Sequence, residues 1–404
     1  MGIKNLKLAL KRFMNNSNNG VSLVLRSEAL DKKTVAIDAS FLLYTYYTAE
    51  KEREKFINSD GKNIIHIRKI LDIALFFISK YCKPVFVFDG KAPEEKIKTL
   101  SKRNSAKDKI IDEIDILKKK NTKIFKRLKN VDNFQTYEEC LECYIEFETI
   151  CKEIDKQRSK QVFINNEQWN EIFEILDILG IPYIKAPSEA DFQCVHMLKT
   201  KKVNNIVTGD MDFLTLGAKK ILIPEKNGYY QMFELGKILK ELDMTHDQFI
   251  DFSILLGCDY TGTLHRVGYV GAYNIIKNYG SIDKYFQKED IEIPEDFNYI
   301  RTRQIFKNIH ADKEFTPQWM PIDYEALKNK LTENKIKEST VKYYYNNFYY
   351  SQYNVLIGTR TEKEDLEIND GDKDENDREK NEHETHFKLM VFSRSDNCAD
   401  FEYL

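Results

Sequence analysis

Seven acidic residues in this chain follow short apolar runs, and this pattern limits the fold more than any other feature. The runs 34–37, 85–88, 184–188, 206–209 and 254–258 have the length of buried β-strands. In an open parallel sheet the carboxyl ends of the strands meet along one crevice, where ligands bind. We therefore expect an α/β fold with a mostly parallel sheet flanked by helices. The acids expected at its edge are Asp38, Asp89, Glu189, Asp191, Asp210, Asp212 and Asp259.

Carboxylates gathered at one edge raise each other's pKa values unless cations neutralise them. Hard oxygen ligands suit Mg²⁺, and Mn²⁺ can substitute for it. Two such ions, about 3.5–4 Å apart, activate a water and stabilise both oxygens of a phosphodiester displacement. One Asp after a strand is ordinary turn chemistry. Two acidic pairs and three single acids, each after its own run, instead favour a two-metal phosphodiester hydrolase.

The net charge of −3 conceals a strong asymmetry along the chain. Residues 96–129 contain 13 Lys and Arg against 4 Asp and Glu, whereas residues 361–386 contain 4 against 12. Without that acidic stretch the remainder carries about +5, so a basic body precedes an acidic end. The basic part is suited to nucleic acid, and the acidic part is typical of a disordered tail.

Composition and spacing also predict the organisation of the chain. The 42% hydrophobic content supports a folded core, and seven scattered cysteines without a leader or a long apolar run indicate a soluble, intracellular protein without a membrane partner. We also expect a monomer. The predicted regions are 1–103 (N-terminal nuclease region), 104–165 (helical insertion), 166–285 (internal nuclease region), 286–358 (C-terminal helical part) and 359–404 (acidic tail).

The chain resembles the flap endonuclease family, in the superfamily of structure-specific 5′ nucleases that includes the xeroderma pigmentosum group G nuclease. The resemblance extends from residue 1 to about residue 350. Its carriers, in chain order, are Met1-Gly2-Ile3-Lys4-Asn5-Leu6, Val35-Ala36-Ile37-Asp38-Ala39-Ser40, Pro84-Val85-Phe86-Val87-Phe88-Asp89-Gly90-Lys91-Ala92-Pro93, Gly180-Ile181-Pro182-Tyr183, Ala186-Pro187-Ser188-Glu189-Ala190-Asp191, Thr208-Gly209-Asp210-Met211-Asp212 and Leu255-Leu256-Gly257-Cys258-Asp259-Tyr260.

The resemblance implies a PIN-like core with a helical arch, two Mg²⁺ ions and branched or flap DNA as the substrate. Two ligand sets follow from it: Asp38, Asp89, Glu189 and Asp191 for one ion, and Asp210, Asp212 and Asp259 for the other. Asp191 stands where the family more often has Glu. By resemblance, Lys96 and Arg103 extend from the base of the arch towards the scissile phosphate, and Tyr44 stacks on a base beside it.

The resemblance further implies a helix–two-turn–helix element at about residues 246–285 that binds duplex DNA and a monovalent cation. Its DNA contacts would involve Gly257, Gly268 and Gly271, with Glu189 and Asp259 at the junction with the metal site. The match is partial, because Arg266 stands where the family has a glycine. Backbone N–H groups at Gly268 and Gly271 can still approach a phosphate.

The sequence thus predicts a Mg²⁺-dependent 5′ flap endonuclease of replication, repair or recombination. A 5′–3′ exonuclease or a junction nuclease of the same superfamily remains an alternative, as does a catalytically idle scaffold that binds branched DNA. A PIN-type ribonuclease is disfavoured by Lys96 and Arg103. No clamp-binding peptide follows residue 350, so a sliding-clamp partner is left open. The Asn-, Lys- and Ile-rich composition indicates an AT-rich genome, cellular or viral, and leaves the location open between a nucleus and a cytoplasmic replication compartment.

Overall fold

The structure is a computed structural model that describes residues 3–14, 22–26, 30–49, 56–129, 134–159, 164–225 and 229–351. The chain forms two compact units, one comprising Met1–Lys96 with Asn166–Leu404 and the other comprising Ile97–Asn165. The predicted acidic tail at 359–404 lies outside the described residues. In the described ranges, no helix combines the length and the apolar character needed to cross a bilayer.

A seven-stranded sheet forms the centre of the larger unit. Its strands are β1 (Leu23–Arg26), β2 (Thr34–Asp38), β3 (Lys83–Phe88), β4 (Tyr183–Lys185), β5 (Asn205–Val207), β6 (Lys220–Pro224) and β7 (Tyr229–Glu234). They lie in the order β1-β7-β6-β5-β2-β3-β4. The five from β6 to β4 are parallel, and β7 and β1 add antiparallel pairs at one edge. The predicted mostly parallel sheet is confirmed.

The central strands are apolar because helices cover both faces of a parallel sheet. Residues 35–37 of β2 and 85–87 of β3 have no solvent exposure. From β2 the chain proceeds through β3 to β4 on one side, and it then returns to β5 and β6 on the other side. The order therefore reverses between β2 and β5, which is the position where such sheets open a crevice.

Helices surround the sheet and form the whole of the smaller unit. In chain order, those of the described residues are α1 (Leu6–Met14), α2 (Ala39–Ala49), α3 (Ile65–Ser79), α4 (Ile97–Leu128), α5 (Tyr137–Ser159), α6 (Asn166–Ile178), α7 (Ala190–Lys199), α8 (Asp212–Thr215), α9 (Leu235–Leu242), α10 (His246–Leu256), α11 (Tyr269–Tyr279), α12 (Ile282–Glu289), α13 (Tyr299–Lys307), α14 (Tyr324–Glu333) and α15 (Glu338–Tyr349).

The smaller unit is a hairpin of the long helices α4 and α5. Its core is small and is made by Ile114, Ile124, Cys143, Ile150 and Ile154. Large apolar side chains such as Ile116, Tyr137 and Ile145 are exposed on the hairpin, and Lys120 pairs with Glu146 at 2.9 Å between the two helices. The Lys-rich segment and the Glu-rich segment of the sequence thus face each other across one hairpin.

Two features of the fold differ from the sequence-based expectation. The apolar run before Asp259 is the last turn of α10 rather than a strand, so the expectation that all seven acids follow strands is wrong for this residue. A short apolar run cannot be distinguished from a buried helix by periodicity alone. Strand β1 was not predicted; it is a four-residue edge strand in which Leu23 and Val24 are more than half exposed.

Candidate functional site

Four adjacent parallel strands bring acids to one edge of the sheet. Asp38 is the last residue of β2, and Asp89 directly follows β3. Glu189 lies beyond β4 as the N-terminal flanking residue of α7, whose first turn contains Asp191. Asp210 follows β5, on the other side of β2. The sheet order therefore places Asp38 between the acids that follow β3 and β5.

Close backbone contact joins the segment after β3 to the segment after β4. The N–H of Gly90 donates to the carbonyl oxygen of Ser188 at 2.7 Å, and a Cβ at Gly90 would lie 1.8 Å from the carbonyl oxygen of Ala186. No side chain fits there, so only glycine permits this approach. In the same contact, the N–H of Ala190 donates to Asp89 Oδ1 at 2.9 Å.

A threonine that the sequence analysis missed joins the acids after β2 and β5. The hydroxyl of Thr208 donates to Asp38 Oδ2 at 3.1 Å and accepts from the N–H of Asp210 at 3.1 Å. The other oxygen of Asp38 accepts from the N–H of Phe41 in the first turn of α2. In the sequence, the position of the polar Thr208 directly after the apolar residues 206–207 was the one indication that it contacts the acids.

The acidic pair after β5 is held by backbone groups. The N–H of Asp212 donates to Asp210 Oδ1 at 3.1 Å, and the N–H of Ile3 donates to Asp212 Oδ1 at 2.5 Å. The segment before α1 therefore reaches the site and fixes one of its carboxylates. A backbone donor leaves no trace in side-chain patterns, so this contact could not be predicted.

The electrostatics of the edge are unfavourable for seven bare carboxylates. Burial, and next the charge of Asp89, raise the pKa of Asp38 to about 8. Burial, followed by the charge of Asp38, holds the pKa of Asp191 well above its usual value. For Asp212, burial and then Asp210 have the same effect on the pKa. Groups of this kind are stabilised by cations.

Lys96 supplies one positive charge at this edge. It ends a 3₁₀ turn at Glu94–Lys96, and its Nζ lies 2.7 Å from Glu189 Oε1 and 3.7 Å from Asp259 Oδ2. Burial alone would lower the pKa of Lys96, but the neighbouring carboxylates, Glu189 first, outweigh burial and raise it. The ammonium group is therefore charged at neutral pH, and it links an acid that follows β4 with the acid that follows α10.

The donor set fits Mg²⁺ in chemistry. All seven side chains offer hard carboxylate oxygens, and the raised pKa values of Asp38, Asp191 and Asp212 show that added positive charge would be favourable there. In the ranges that the structure describes, no three Asp, Glu, His or Cys side chains are close enough to hold one ion as they are placed. The ligand assignment consequently stays a prediction from the sequence.

Family models and known proteins match the two segments of the chain that form this edge. The chain matches the family models of the XPG N-terminal domain over residues 1–110 and the XPG I-region over residues 180–259. It is 32% identical over 309 residues to flap endonuclease 1 of Glycine max, which covers 73% of each chain. The chain belongs to the flap endonuclease family. The two matched regions are the ones that Gly90, Asp89 and Thr208 join at the sheet edge.

Two further relatives define the extent of the likeness. Flap endonuclease 1 of Plasmodium knowlesi is 30% identical over 356 residues, with 82% of this chain covered and 54% of the relative, so the chain spans about half the length of that protein. The solved structure of flap endonuclease-1 from Methanococcus jannaschii superposes with a TM-score of 0.58 at 22% identity, and covers 85% of this chain and 99% of that one. It shows the shared fold.

The family resemblance also predicted roles for Tyr44 and Arg103, and the structure locates the side chain of Tyr44 but not that of Arg103. Tyr44 lies on α2, half-buried, and its pKa is raised by burial and next by the charge of Asp89, so it borders the acidic edge. Arg103 lies on α4, but its side chain is outside the described residues. The structure therefore brings Tyr44 to the site and leaves the predicted role of Arg103 as a prediction.

The predicted helix–two-turn–helix region contains α10, a turn and α11. Gly257 has φ +97° directly after α10, and Gly268 precedes α11 with open space where a Cβ would point. A Cβ at Gly271 would meet Val267 at 3.6 Å, an ordinary contact. Arg266 has φ +62°, a left-handed conformation that favours glycine. The departure from the family at Arg266 is thus a substitution in a backbone that still has the shape suited to glycine.

Proposed function

We propose that this chain is a Mg²⁺-dependent, structure-specific endonuclease that hydrolyses DNA where a 5′ single strand leaves a duplex. One observation carries the proposal: acids from both matched regions converge at one sheet edge beside a charged lysine. The names of the relatives, flap endonuclease 1, support the same activity. A flap or other branched DNA is the proposed partner.

We propose that Asp38, Asp89, Glu189 and Asp191 hold one ion and that Asp210, Asp212 and Asp259 hold a second. Bound there, the ions would supply an activated water and neutralise charge on the phosphate. Thr208 and the N–H groups of Phe41, Ala190 and Ile3 orient these carboxylates, and so reduce the reorganisation that binding requires.

Lys96 is proposed to offset the charge that develops on the scissile phosphate. Its ammonium group keeps its proton because the surrounding acids raise its pKa. Arg103 is proposed to assist it, and Tyr44 to stack on a base near the cleaved bond, which is worth about 1–3 kcal/mol. Gly257, Gly268 and Gly271 are proposed to let backbone N–H groups reach the duplex, with a monovalent cation bound nearby.

The test is cleavage of an end-labelled 5′-flap DNA with Mg²⁺. Incision near the branch is expected, and it should disappear with EDTA and in Asp210→Ala. A matched control is Asp243→Asn, which removes an exposed carboxylate paired with Lys277 and should cleave normally. Stepwise release of mononucleotides would instead identify an exonuclease. Tight flap binding without cleavage would overturn the enzymatic proposal in favour of a scaffold.

A further inference from the structure

We propose that Tyr260 is a positioning residue that fixes the orientation of the Glu189 carboxylate and thereby sets the affinity of the site for divalent ions. The inference rests on the proposed function, because it takes Glu189 as a ligand. It assigns a role to a residue that carries no metal-binding group of its own at neutral pH and that stands next to a proposed ligand, Asp259.

The contact is short and shielded from water. The hydroxyl of Tyr260 donates to Glu189 Oε2 at 2.7 Å, and both residues are buried. The second oxygen, Oε1, lies on the side of Lys96, whose Nζ is 2.7 Å away. The two oxygens of the Glu189 carboxylate therefore have different partners. Oε2 accepts the hydrogen bond from Tyr260, and Oε1 faces the ammonium group of Lys96.

Tyr260 is itself rigidly held. Its ring packs edge-on against Phe306 of α13, with centroids 5.5 Å apart. The next two residues are tied to one carbonyl group: the hydroxyl of Thr261 and the N–H of Gly262 donate to the oxygen of Asp296 at 3.1 and 2.8 Å. A donor fixed by packing and by backbone hydrogen bonds can impose its geometry on a flexible partner, rather than follow it.

Glutamate needs such a partner more than aspartate does, because its longer side chain has an additional rotatable bond. Side chains that orient a ligand in this way typically change metal affinity or activity by about 10–100-fold when they are removed. The phenol also joins two parts of the site, since Asp259 directly precedes Tyr260 in the chain and Glu189 lies 71 positions away.

The experiment is Mn²⁺ binding to the full chain without DNA, measured by electron paramagnetic resonance of the free ion. Tyr260→Phe removes one oxygen and keeps the ring, and it should weaken Mn²⁺ binding about tenfold or more. In cleavage assays the Mg²⁺ concentration for half-maximal rate should rise by a similar factor, with the rate at saturating Mg²⁺ nearly restored. Adding Tyr260→Phe to Glu189→Asp, whose shorter side chain retracts from the phenol, should have little further effect on Mn²⁺ binding.

The matched control is Tyr344→Phe. Tyr344 is also buried, and its hydroxyl also donates to a carboxylate, that of Asp72 on α3. Asp72 is not a proposed metal ligand, so the loss of this hydroxyl should leave Mn²⁺ binding unchanged. Unaltered Mn²⁺ binding in Tyr260→Phe, or an equal loss in Tyr344→Phe, would overturn the inference. If Tyr260→Phe does not fold, Phe306→Leu, which loosens the ring, must weaken Mn²⁺ binding. A wild-type protein that binds Mn²⁺ but cleaves no DNA would remove the proposed function and leave the test of Tyr260 valid.

Discussion

Two aspartates in this chain are almost equally buried, yet they have opposite surroundings. Asp251 of α10 receives a bidentate contact from Arg303, with Nε to Oδ1 at 2.7 Å and Nη2 to Oδ2 at 2.8 Å, and a hydrogen bond from the N–H of Ile282. Asp38 instead faces Thr208 and other acids, and burial with the charge of Asp89 raises its pKa to about 8.

The different surroundings of Asp251 and Asp38 separate a carboxylate that stabilises the fold from one that is suited to binding a cation. A buried charge is tolerated when a partner compensates it, and removing the partner alone is strongly destabilising. The chain supplies Arg303 to Asp251, which makes that pair part of the fold. It supplies the sheet edge with acids of raised pKa, such as Asp38 and Asp191, and with Lys96, so a bound cation would be favourable there.

The largest effect is expected for Asp38→Asn, which removes a proposed metal ligand from the acidic edge. Cleavage should fall about 10³-fold or more, because the loss of a ligand would withdraw several kcal/mol of transition-state stabilisation. The melting temperature without Mg²⁺ should stay the same or rise, since repulsion among the acids decreases. Single-turnover cleavage and thermal melting check the two expectations, and a large drop in melting temperature would contradict the comparison.

Arg303→Met should have the reverse pattern. It leaves Asp251 buried without its cation, which is expected to cost about 3 kcal/mol of unfolding free energy. Urea unfolding measures this loss. Below the unfolding transition the Mg²⁺ dependence of cleavage should match that of the wild type, and a changed dependence would mean that the two regions are not independent.

Lys96→Met removes the cation of the acidic edge, and its effects can be compared with those of Arg303→Met, which removes the cation that pairs with Asp251. Cleavage at saturating Mg²⁺ should fall about 10²-fold, the usual effect of removing one group that stabilises developing charge. Stability should change much less than in Arg303→Met, because Glu189 keeps its hydrogen bond from Tyr260 and Asp259 is partly exposed to solvent. The comparison would break if Lys96→Met unfolded as readily as Arg303→Met.

The smallest effect is expected for Asp283→Asn. Asp283 also contacts Arg303, at 2.7 Å, but its side chain is 49% exposed, so the loss should be under about 1 kcal/mol. Burial raises the pKa of Asp283, but the hydrogen bond and charge of Arg303 outweigh it and lower the pKa overall. Its contribution is thus complete above the unfolded-state pKa of about 3.9 and is lost as the pH falls through the lower folded-state value. Urea unfolding at pH 7 and pH 3 should show the difference between variant and wild type shrinking with acid.

The main elements could be predicted because their signals are local. The apolar runs before Asp38 and Asp89 specified strands that the structure contains as β2 and β3. The partners of the acids were not predictable in this way. Thr208 lies 170 positions from Asp38 and Tyr260 lies 71 positions from Glu189, so only the folded chain shows which hydroxyl orients which carboxylate.

The pairing of β2 with β5 also has a consequence for the life of the chain on the ribosome. The hydrogen bond between Thr208 and Asp38 spans 170 residues, which take on the order of ten seconds to synthesise at about 5–20 residues per second. Between the synthesis of Asp89 and that of Glu189, the emerging N-terminal part carries Asp38 and Asp89 without Glu189 or Asp210. The acidic edge can be completed only after Asp259 has been made, so truncated products that end before it should lack the proposed cleavage activity.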